Sequence, residues 1–433
     1  MLLGSIFSQE LLVNFTEFNF NTQILSGIQT QGYRTATPIQ IKAIPAILQG
    51  RDVVGLAQTG TGKTAAYALP LLQQLTEGPP GQLRALILSP TRDLADQICV
   101  AMNHFGRQTH LRCATIYGGK INYTRQYQLL TGGVDIIVAC PGRLLDLLQG
   151  KKNNFLQQVK HLVLDEADHL FDHGFRDAIY HILKHLPPRR QNLLFSATMS
   201  ADIRLLIDKV LHRPVRIQIG EPKPAVTITQ TLFPVSETLK VNLLETILQN
   251  HSIHSAIIFT RTKHRAQCLA EHLRDLGYKA TSFQGNLSQS RRKTALGKFR
   301  QGELKFLVAT DVAARGIDID HLSHVINFDM PNTAIEYTHR IGRTGRADKL
   351  GMAFSLITKN DRRKIQSIEH LQKKRLEECI IAEFDYHAKI NPSMEPLNAY
   401  RRKPLSYPHS PSTSRKKIAS PRHSTLRSKK KNS

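Results

Sequence analysis

A glycine-rich segment, AQTGTGKT at residues 57–64, has the residue types and spacing of a phosphate-binding loop. It follows a predicted strand, Asp52–Leu56, and precedes the apolar run AAYALPLL, which predicts a helix. Gly60 and Gly62 let the backbone turn its N–H groups toward phosphate oxygens, and the helix N-terminus adds partial positive charge. We expect Lys63 to reach the β- and γ-phosphates and Thr64 to ligate Mg²⁺. The alternative, a glycine-rich turn without a ligand, does not explain the flanking strand and helix.

Three acids follow another apolar strand. Leu162–Leu164 leads into Asp165, Glu166 and Asp168. A Mg²⁺ carboxylate belongs at the carboxyl end of a strand in the sheet that carries the phosphate loop. Asp165 is therefore the candidate metal ligand, and Glu166 is the candidate that orients and deprotonates the attacking water. A solvated acidic turn is the weaker alternative, since three acids so close together would repel one another. Loop and acids together predict ATP hydrolysis.

A third charged segment, HRIGRTGR at residues 339–346, places Arg340, Arg343 and Arg346 three residues apart. Such spacing directs guanidinium groups to one side of a helical or turn-like segment. Permanently charged arginines suit the negative charge that develops on a transferred phosphoryl group. Because the segment lies far from Lys63 in the chain, hydrolysis would require two domains to close. The alternative, contacts to RNA phosphates alone, stays open, most of all for Arg340.

The elements that must position these residues alternate between apolar strands and helical patterns. Besides Asp52–Leu56, four strands are predicted before residue 220 (Arg84–Ser89, Val134–Ala139, His161–Leu164 and Asn192–Ser196), and four after it (Ser255–Thr260, Lys305–Thr310, His324–Phe328 and Met352–Thr358). Strands that alternate with helices predict parallel sheets, because parallel strands need crossover connections. The predicted fold class is α/β with two tandem doubly wound domains, at residues 1–217 and 227–375. A linker is expected at 218–226, where GEPKP interrupts the pattern, and a basic extension at 376–433, largely disordered after about 390.

Charge indicates a polyanionic partner. The chain of 433 residues carries a formal net charge of +25. From Pro396 to Ser433 there are 11 Lys or Arg and no Asp or Glu. Nucleic acid is the commonest cellular polyanion, and the tail is expected to add salt-sensitive phosphate affinity. A solubility tail without a specific partner and a nuclear localisation signal are the alternatives.

Other features exclude several classes of protein. The 5 cysteines are scattered without a CxxC pair, so neither a structural zinc site nor a disulfide framework is indicated. No segment approaches the length of a membrane span, and the N-terminus makes a poor signal peptide. These patterns predict a cytoplasmic protein without a membrane partner.

Taken together, these motifs resemble those of the DEAD-box RNA helicases. Asp165–Asp168 spell the family's name, and the resemblance runs from about Phe15 to residue 375. The ordered motifs are Phe15, Gly32-Tyr33, Pro38-Ile39-Gln40, AQTGTGKT, Pro90-Thr91-Arg92, Gly118-Gly119, Pro141-Gly142-Arg143, Ser196-Ala197-Thr198, Ile258-Phe259-Thr260, Gln289 with Arg292, ATDVAARGIDID and HRIGRTGR. The stretch FTRTKHRAQCLAEHL resembles the bacterial RhlE-type subgroup. The fold that this implies is two RecA-like domains.

The resemblance implies roles for individual residues. In the ATP site, Gln40 would read the adenine edge, Phe15 would stack on the base and Asp318 would contact the ribose. Phosphate contacts would come from Gln58, Thr59, Gly60, Thr61, Gly62, Lys63 and Thr64. Asp168, Ser196, Thr198 and His339 would couple the ATP site to RNA, with Ser196 and Thr198 bonding to Asp168 and His339. The RNA backbone would be bound by Thr91, Arg92, Gly119, Arg143, Arg261, Thr262, Gln284, Gly285, Thr310 and Gly316.

Four positions depart from the family pattern: Ala36 stands for Pro, Asp93 for Glu, Cys140 for Thr and Gln284 for His. The predicted activity is that of an RNA-dependent ATPase that locally unwinds short RNA duplexes or remodels RNA–protein complexes, with ATP and Mg²⁺ as cofactors. The expected partner is RNA, single-stranded or in a short duplex and bound through its backbone, with ribosomal RNA or ribonucleoprotein as the candidate target. Ribosome assembly and RNA decay are expectations from the subgroup. The alternatives are an ATP-gated RNA clamp or scaffold that rarely unwinds, and a DNA translocase, which Gln40 and the DEAD tetrad disfavour.

Overall fold

The computed structural model describes residues 13–58, 60–119, 123–149, 154–172, 174–219, 228–251, 253–314, 322–345 and 350–388. Four predicted site residues, Thr59, Asp318, Gly316 and Arg346, lie outside these ranges. Most of the predicted linker and the whole basic tail from Pro396 also lie outside the described residues.

The first half of the chain folds around a seven-stranded parallel sheet in the order β3-β4-β2-β5-β6-β1-β7. Its strands are β1 (Val53–Leu56), β2 (Ala85–Leu88), β3 (Cys113–Ile116), β4 (Ile136–Ala139), β5 (His161–Leu164), β6 (Gln191–Ser196) and β7 (Val215–Gln218). Its helices are α1 (Thr22–Thr30), α2 (Pro38–Leu48), α3 (Lys63–Leu75), α4 (Arg92–Phe105), α5 (Tyr123–Thr131), α6 (Pro141–Leu148), α7 (Ala167–Asp172), α8 (Arg176–Leu183) and α9 (Ala201–Val210). A short 3-10 helix, Phe15–Phe18, precedes α1.

Apolar residues fill both faces of this sheet, which explains why its central strands are continuous apolar runs. In β2, Ala85 and Ile87 pack into one hydrophobic cluster, whereas Leu86 and Leu88 pack into the cluster on the opposite face. Successive side chains of a strand point to opposite faces, so a strand covered by helices on both sides needs an apolar residue at every position. These strands therefore position their carboxyl ends rigidly.

The second half repeats this arrangement around a sheet in the order β10-β11-β9-β12-β13-β8-β14. Its strands are β8 (Ile228–Pro234), β9 (Ala256–Phe259), β10 (Ala280–Phe283), β11 (Phe306–Ala309), β12 (His324–Asn327), β13 (Gly351–Ile357) and β14 (Glu377–Glu378). Its helices are α10 (Lys240–Asn250), α11 (Lys263–Asp275), α12 (Gln289–Arg300), α13 (Asp311–Ala314), α14 (Ala334–Ile341) and α15 (Arg362–Gln372). Short 3-10 helices at Glu237–Leu239 and Lys359–Asp361 precede α10 and α15.

Both sheets have the same strand order when strands are counted from the start of each half. All strand pairs in both sheets are parallel. The prediction of two doubly wound α/β units is thereby confirmed, and every strand predicted from the sequence is present. The exact domain boundaries remain predictions. In an open parallel sheet, ligands bind beyond the carboxyl ends of the strands, and the candidate residues of both halves follow those ends.

The strands not named from the sequence are the short or partly polar β3, β7, β8, β10 and β14. β3, β7, β10 and β14 lie at a sheet edge, where one side is uncovered, and β8 lies next to an edge. Such strands lack the continuous apolar run that revealed the central ones. No described helix has the length and apolar character needed to cross a membrane.

Candidate functional site

The phosphate loop has the predicted geometry. Gly60 and Gly62 have φ of 86° and 88°, a left-handed conformation that glycine adopts without the strain a side chain would cause. Gly62 is the N-cap of α3, so the first free N–H groups of this helix face the loop. Lys63 is buried, and its Nζ donates to the carbonyl oxygens of Ala57 at 2.6 Å and Gln58 at 3.1 Å. The loop can therefore both cradle a phosphate and supply a charge to it.

The three predicted acids converge on this loop. Asp165, Glu166 and Asp168 are buried, directly after β5. Burial and the neighbouring Glu166 raise the pKa of Asp165 to about 6, although Lys63 opposes the shift. Carboxylates in such surroundings are stabilised by a cation, and an ionised Asp165 with the Thr64 hydroxyl would offer Mg²⁺ the oxygen ligands that it prefers. The residues present thus fit the predicted metal.

Tyr67, on the first turns of α3, connects these two predicted metal ligands. Its hydroxyl donates to Asp165 Oδ2 at 2.8 Å and lies within hydrogen-bonding reach of Thr64. The ring is fully buried and packs against Phe195 with centroids 5.3 Å apart. No role for Tyr67 was predicted from the sequence, where it is one apolar residue in a helical run. Its hydroxyl holds the carboxylate of Asp165, the predicted metal ligand.

Glu166 has an unusual backbone and a low pKa. Its φ of 47° lies in the left-handed region, which is sparsely populated by residues with side chains and is often found at functional sites. Burial acts to raise the pKa of Glu166, but His169 and then Arg343 and Lys63 outweigh it and lower the pKa to about 2. The carboxylate is thus ionised at neutral pH and can accept a hydrogen bond from a water molecule, which would orient that water.

Three of the four predicted coupling residues, Asp168, Ser196 and Thr198, are joined by hydrogen bonds. Asp168 Oδ2 accepts hydrogen bonds from the backbone N of Ala197 and Thr198 and from Thr198 Oγ1, at 3.0–3.1 Å. The backbone N of Asp168 donates to Ser196 Oγ at 3.3 Å. The prediction also joined this set to His339. That part is different in the structure, where His339 Nδ1 instead lies 3.0 Å from Nε2 of His169.

The arginines of the second half have different surroundings. Arg340 is buried in its own domain, where its guanidinium pairs with Asp311 at 2.5 and 2.7 Å and donates to Asn327 and the Asp329 carbonyl. Its spacing suggested a common side with Arg343, but the ion pair turns it into the second domain, so it serves the fold. Arg343 is buried at the cleft, where its charge lowers the pKa of both Lys63 and Glu166 in the first half. Arg346 lies outside the described residues.

Gln40 and Phe15, the residues predicted to contact adenine, are both buried in the first domain. Gln40 is fully buried; its Oε1 accepts from the backbone N of Thr37, and its Nε2 donates to the Gly62 carbonyl at 3.1 Å. Phe15 is also buried, edge-on to Tyr33 at 6.0 Å, so stacking on a base would require it to leave the core. Tyr33 is the exposed aromatic of this pair, at 39% exposure, and it lines the cleft. Apolar packing accounts for the position of Phe15, which the sequence alone did not indicate.

Several predicted RNA contacts lie at helix N-termini. The side chains of Thr91 and Thr262 cap α4 and α11 with the same backbone conformation, φ −129° and ψ 153°, and Thr310 precedes α13. Free N–H groups and the helix dipole make such ends binding sites for phosphates. Cys140, at the start of α6, makes no capping bond through its side chain, as expected from the missing hydroxyl.

Basic side chains lie beside two of the glycines that are predicted to contact RNA. A Cβ on Gly119 would lie 2.8 Å from Nη1 of Arg92, so this glycine keeps room beside a cation. Gly285 lies beside the Lys263 side chain, where a Cβ would make an ordinary contact at 3.4 Å. Within the described part of the chain, the buried Nη1 of Arg143 has no hydrogen-bond partner, and an anionic acceptor would satisfy it. Gln284 is held internally, since its Oε1 accepts from Asn286 N. The backbone N–H of Arg261 donates a hydrogen bond to Asp329 Oδ2.

The two halves meet along a cleft of about 740 Å³ that is lined by residues of the predicted phosphate loop and by Asp165 and Glu166. Asp93 on α4 forms an ion pair with Arg292 on α12, and both side chains are buried. Gln289 donates to Asp93 and Asp96 at 3.2 and 3.1 Å, and Lys293 lies 2.8 Å from Asp96. Gln289 and Arg292 were noted as motif residues, but their interdomain partners could not be read from one sequence.

Comparison with known proteins agrees with this geometry. Residues 37–206 match the family profile described as DEAD/DEAH box helicase, and residues 239–348 match the helicase conserved C-terminal domain. The chain is 44% identical to the RNA helicase CrhR of Synechocystis over 83% of this chain and 72% of the relative. It is 40% identical to the DEAD-box ATP-dependent RNA helicase CshA of Bacillus subtilis, over 85% and 74%, and 44% identical to the ATP-dependent rRNA helicase rrp3 of Emericella nidulans, over 84% and 78%.

Among solved structures, S. cerevisiae Dbp5 bound to RNA and ADP BeF3 is similar, with a TM-score of 0.74 at 30% identity, covering 84% of this chain and 95% of that one. Mss116p bound to ssRNA and AMP-PNP has a TM-score of 0.74 at 27% identity, covering 86% and 81%. The relatives span bacteria and fungi, so the RhlE-type subgroup stays a prediction.

Proposed function

The chain belongs to the DEAD-box RNA helicase family, and from this membership we propose that it hydrolyses ATP in a cleft between two domains and uses closure of that cleft to separate short RNA duplexes or remodel RNA–protein complexes. The observation that carries the proposal is the approach of second-domain residues to the first-domain acids: His339 reaches His169, and Arg343 acts on Glu166 and Lys63. Remodelling during ribosome assembly or RNA decay is a further part of the proposal. The rRNA helicases among the relatives support the first of these.

Different residues of the cleft have different roles in ATP hydrolysis. Backbone N–H groups of the phosphate loop bind the phosphates, and Lys63 exchanges the carbonyls of Ala57 and Gln58 for phosphate oxygens. Thr64 and Asp165 would hold Mg²⁺, which neutralises phosphate charge when bound. Glu166 orients the attacking water and accepts its proton, and Arg343 stabilises the charge that develops on the transferred group. We assign Arg346, Asp318 and Thr59 the roles that the family resemblance implies.

RNA recognition rests on helix N-termini and cations on the same side of both sheets. Threonine-capped ends of α4 and α11, together with Arg92 and Arg143, supply contacts to phosphate, which carry no base information. Contacts along the sugar–phosphate chain that include 2′-hydroxyls favour RNA over DNA. An RNA strand bound across both domains in the closed state must follow their surface. Because a duplex cannot adopt that path, the complementary strand is released.

The alternative function is an ATP-gated RNA clamp with little unwinding. The interdomain ion pairs of Asp93 and Asp96 favour it to the extent that they prolong the closed state. Clamp and helicase differ in whether a partner strand leaves during ATP turnover. The cytoplasmic location predicted from the sequence stays a prediction.

The first prediction concerns Glu166→Gln, which keeps the shape of the side chain but removes the proton acceptor. We expect ATP hydrolysis to fall by about 10²–10⁴-fold, the contribution typical of a general base, while ATP-dependent RNA binding persists. Strand displacement from a short RNA duplex, measured for the wild-type protein with and without ATP, distinguishes a helicase from an ATP-gated RNA clamp.

Asp177→Asn is the matched control, because Asp177 is an exposed acid on α8 away from the cleft. It should behave like the wild type. If Glu166→Gln retained RNA-stimulated hydrolysis, the role of Glu166 would be wrong. If the wild type bound RNA with ATP but released no strand, the clamp would replace the helicase.

A further inference from the structure

His169, the residue after the DEAD sequence, bridges the two domains at Glu166. Its Nδ1 lies 3.0 Å from Glu166 Oε2, and its Nε2 lies 3.0 Å from His339 Nδ1. The two imidazole rings meet edge-on, with centroids 4.8 Å apart and planes at 89°. The His169 side chain is only 2% exposed, so water competes little for these bonds. A continuous chain of hydrogen-bonding groups thus runs from the second domain to the predicted water-orienting carboxylate.

The direction of one bond in this chain is fixed. An ionised carboxylate can only accept hydrogen bonds, so His169 Nδ1 donates to Glu166 whether the ring is neutral or charged. That leaves Nε2 for His339. Burial and the neighbouring His169 lower the pKa of His339 to about 4, so at neutral pH His339 is an uncharged ring that can either donate or accept at Nδ1. Both nitrogens of His169 are therefore held when the domains meet.

We propose that His169 is a positioning residue that conveys domain closure to Glu166, an inference that rests on the proposed function. His339 belongs to α14 of the second domain, so the bond between the two histidines forms only when the cleft closes. With both nitrogens held, the ring keeps a fixed orientation and its N–H holds Glu166 in place for the attacking water. When the domains part, one of these two bonds is lost, and the ring and the carboxylate gain freedom. Hydrolysis is thereby faster in the closed state than in the open one.

The decisive variant is His169→Phe, which preserves an aromatic ring but lacks both nitrogens. Residues that orient a catalytic group typically contribute 10–100-fold to activity, so kcat for RNA-stimulated hydrolysis should fall by about that factor. The KM for ATP and the slow rate without RNA should stay near the wild-type values, because both are set mainly by the open state, in which His169 and His339 are apart. His169→Asn, which retains an N–H near the position of Nδ1 but is too short to bridge to His339, should lose less than His169→Phe.

The matched control is His161→Phe. His161 is also a buried histidine of the same segment, and its ring bonds to the Gln191 amide on the neighbouring strand instead of to the cleft. This variant should lose folding stability without a change in RNA-stimulated kcat. A second test combines His169→Phe with His339→Phe: if both act in one chain, the double variant should be no slower than the slower single variant.

Three results would overturn the inference while the proposed function stands: an unchanged kcat in His169→Phe, an equal loss in the RNA-free rate, or additive losses in the double variant. A wild-type protein whose hydrolysis RNA does not stimulate would remove the proposed function and this inference together.

Discussion

At the scale of residues, the predicted chemistry depends on side chains that hold the catalytic carboxylates rather than on those carboxylates alone. Tyr67 bonds to Asp165, and His169 bonds to Glu166. Both supports are buried, so each bond forms where water competes little and an unpaired polar group is costly. Removal of such a support should therefore affect activity more strongly than loss of an exposed hydrogen bond.

Tyr67→Phe tests this for the predicted metal ligand. The variant keeps the ring against Phe195 but leaves buried Asp165 without one donor, a loss typically worth about 1–3 kcal/mol. We expect a lower apparent affinity for Mg²⁺ and slower hydrolysis at limiting Mg²⁺, with recovery at high Mg²⁺. Hydrolysis rates measured over a Mg²⁺ titration provide the readout.

Tyr180→Phe is the matched control, because the buried Tyr180 hydroxyl has no hydrogen-bond partner in the described part of the chain. It should titrate like the wild type. A Tyr67→Phe protein with an unchanged Mg²⁺ requirement would contradict the supporting role.

The sequence indicated the catalytic groups better than their supports. The phosphate loop and the acids are recognisable because their chemistry requires particular residues at short spacings. Tyr67 and Asp165 are 98 residues apart, and His169 and His339 are 170 apart, so only the fold brings each pair together. Arg340 shows that local spacing can also mislead. Its spacing from Arg343 predicted that both guanidinium groups would point to the same side, but the ion pair with Asp311 holds Arg340 within the second domain.

At the scale of elements, apolar residues pack the sheets, whereas charged residues make the contact between helices of the two halves. The central strands were predictable because helices on both faces demand continuous apolar runs. Edge strands such as β3 and β10 were missed because partial exposure admits polar residues. The contact between α4 and α12 depends on charges separated by nearly half the chain, which no periodicity reveals. Asp93, Asp96, Arg292 and Lys293 form this contact.

Asp93→Asn tests this contact. The variant leaves buried Arg292 without its carboxylate in the closed arrangement, and truncation of one partner in a buried interfacial charge pair typically costs about 2–5 kcal/mol. We expect ATP-dependent RNA binding to weaken by at least about tenfold, because every 1.4 kcal/mol corresponds to tenfold in affinity. Fluorescence anisotropy of labelled single-stranded RNA, with and without ATP, measures the effect.

Asp93→Glu is the control, since it restores the charge and the residue that the family usually has here. Its RNA binding should be close to that of the wild type. Equal binding by Asp93→Asn and the wild type would show that this ion pair does not support closure.

At the scale of the whole molecule, the site is divided between two copies of one topology. The first copy carries the phosphate loop and the acids, and the second supplies His339 and Arg343. Neither copy can complete the catalytic set by itself. The predicted RNA contacts are divided in the same way, with threonine-capped helices in both halves, so one strand of RNA would favour the same closed arrangement that completes the predicted ATP site. A ligand shifts a conformational equilibrium only through a difference in affinity for the two states, and contacts to both domains provide that difference.

The steady-state rate of ATP hydrolysis by the full chain, measured with single-stranded RNA, with DNA of the same sequence and with no nucleic acid, tests the central claim most directly. If RNA completes the cleft, hydrolysis should be slow alone, only weakly affected by DNA and strongly increased by RNA. Hydrolysis at the same rate in all three conditions would contradict the claim that RNA and ATP act through a common closed state.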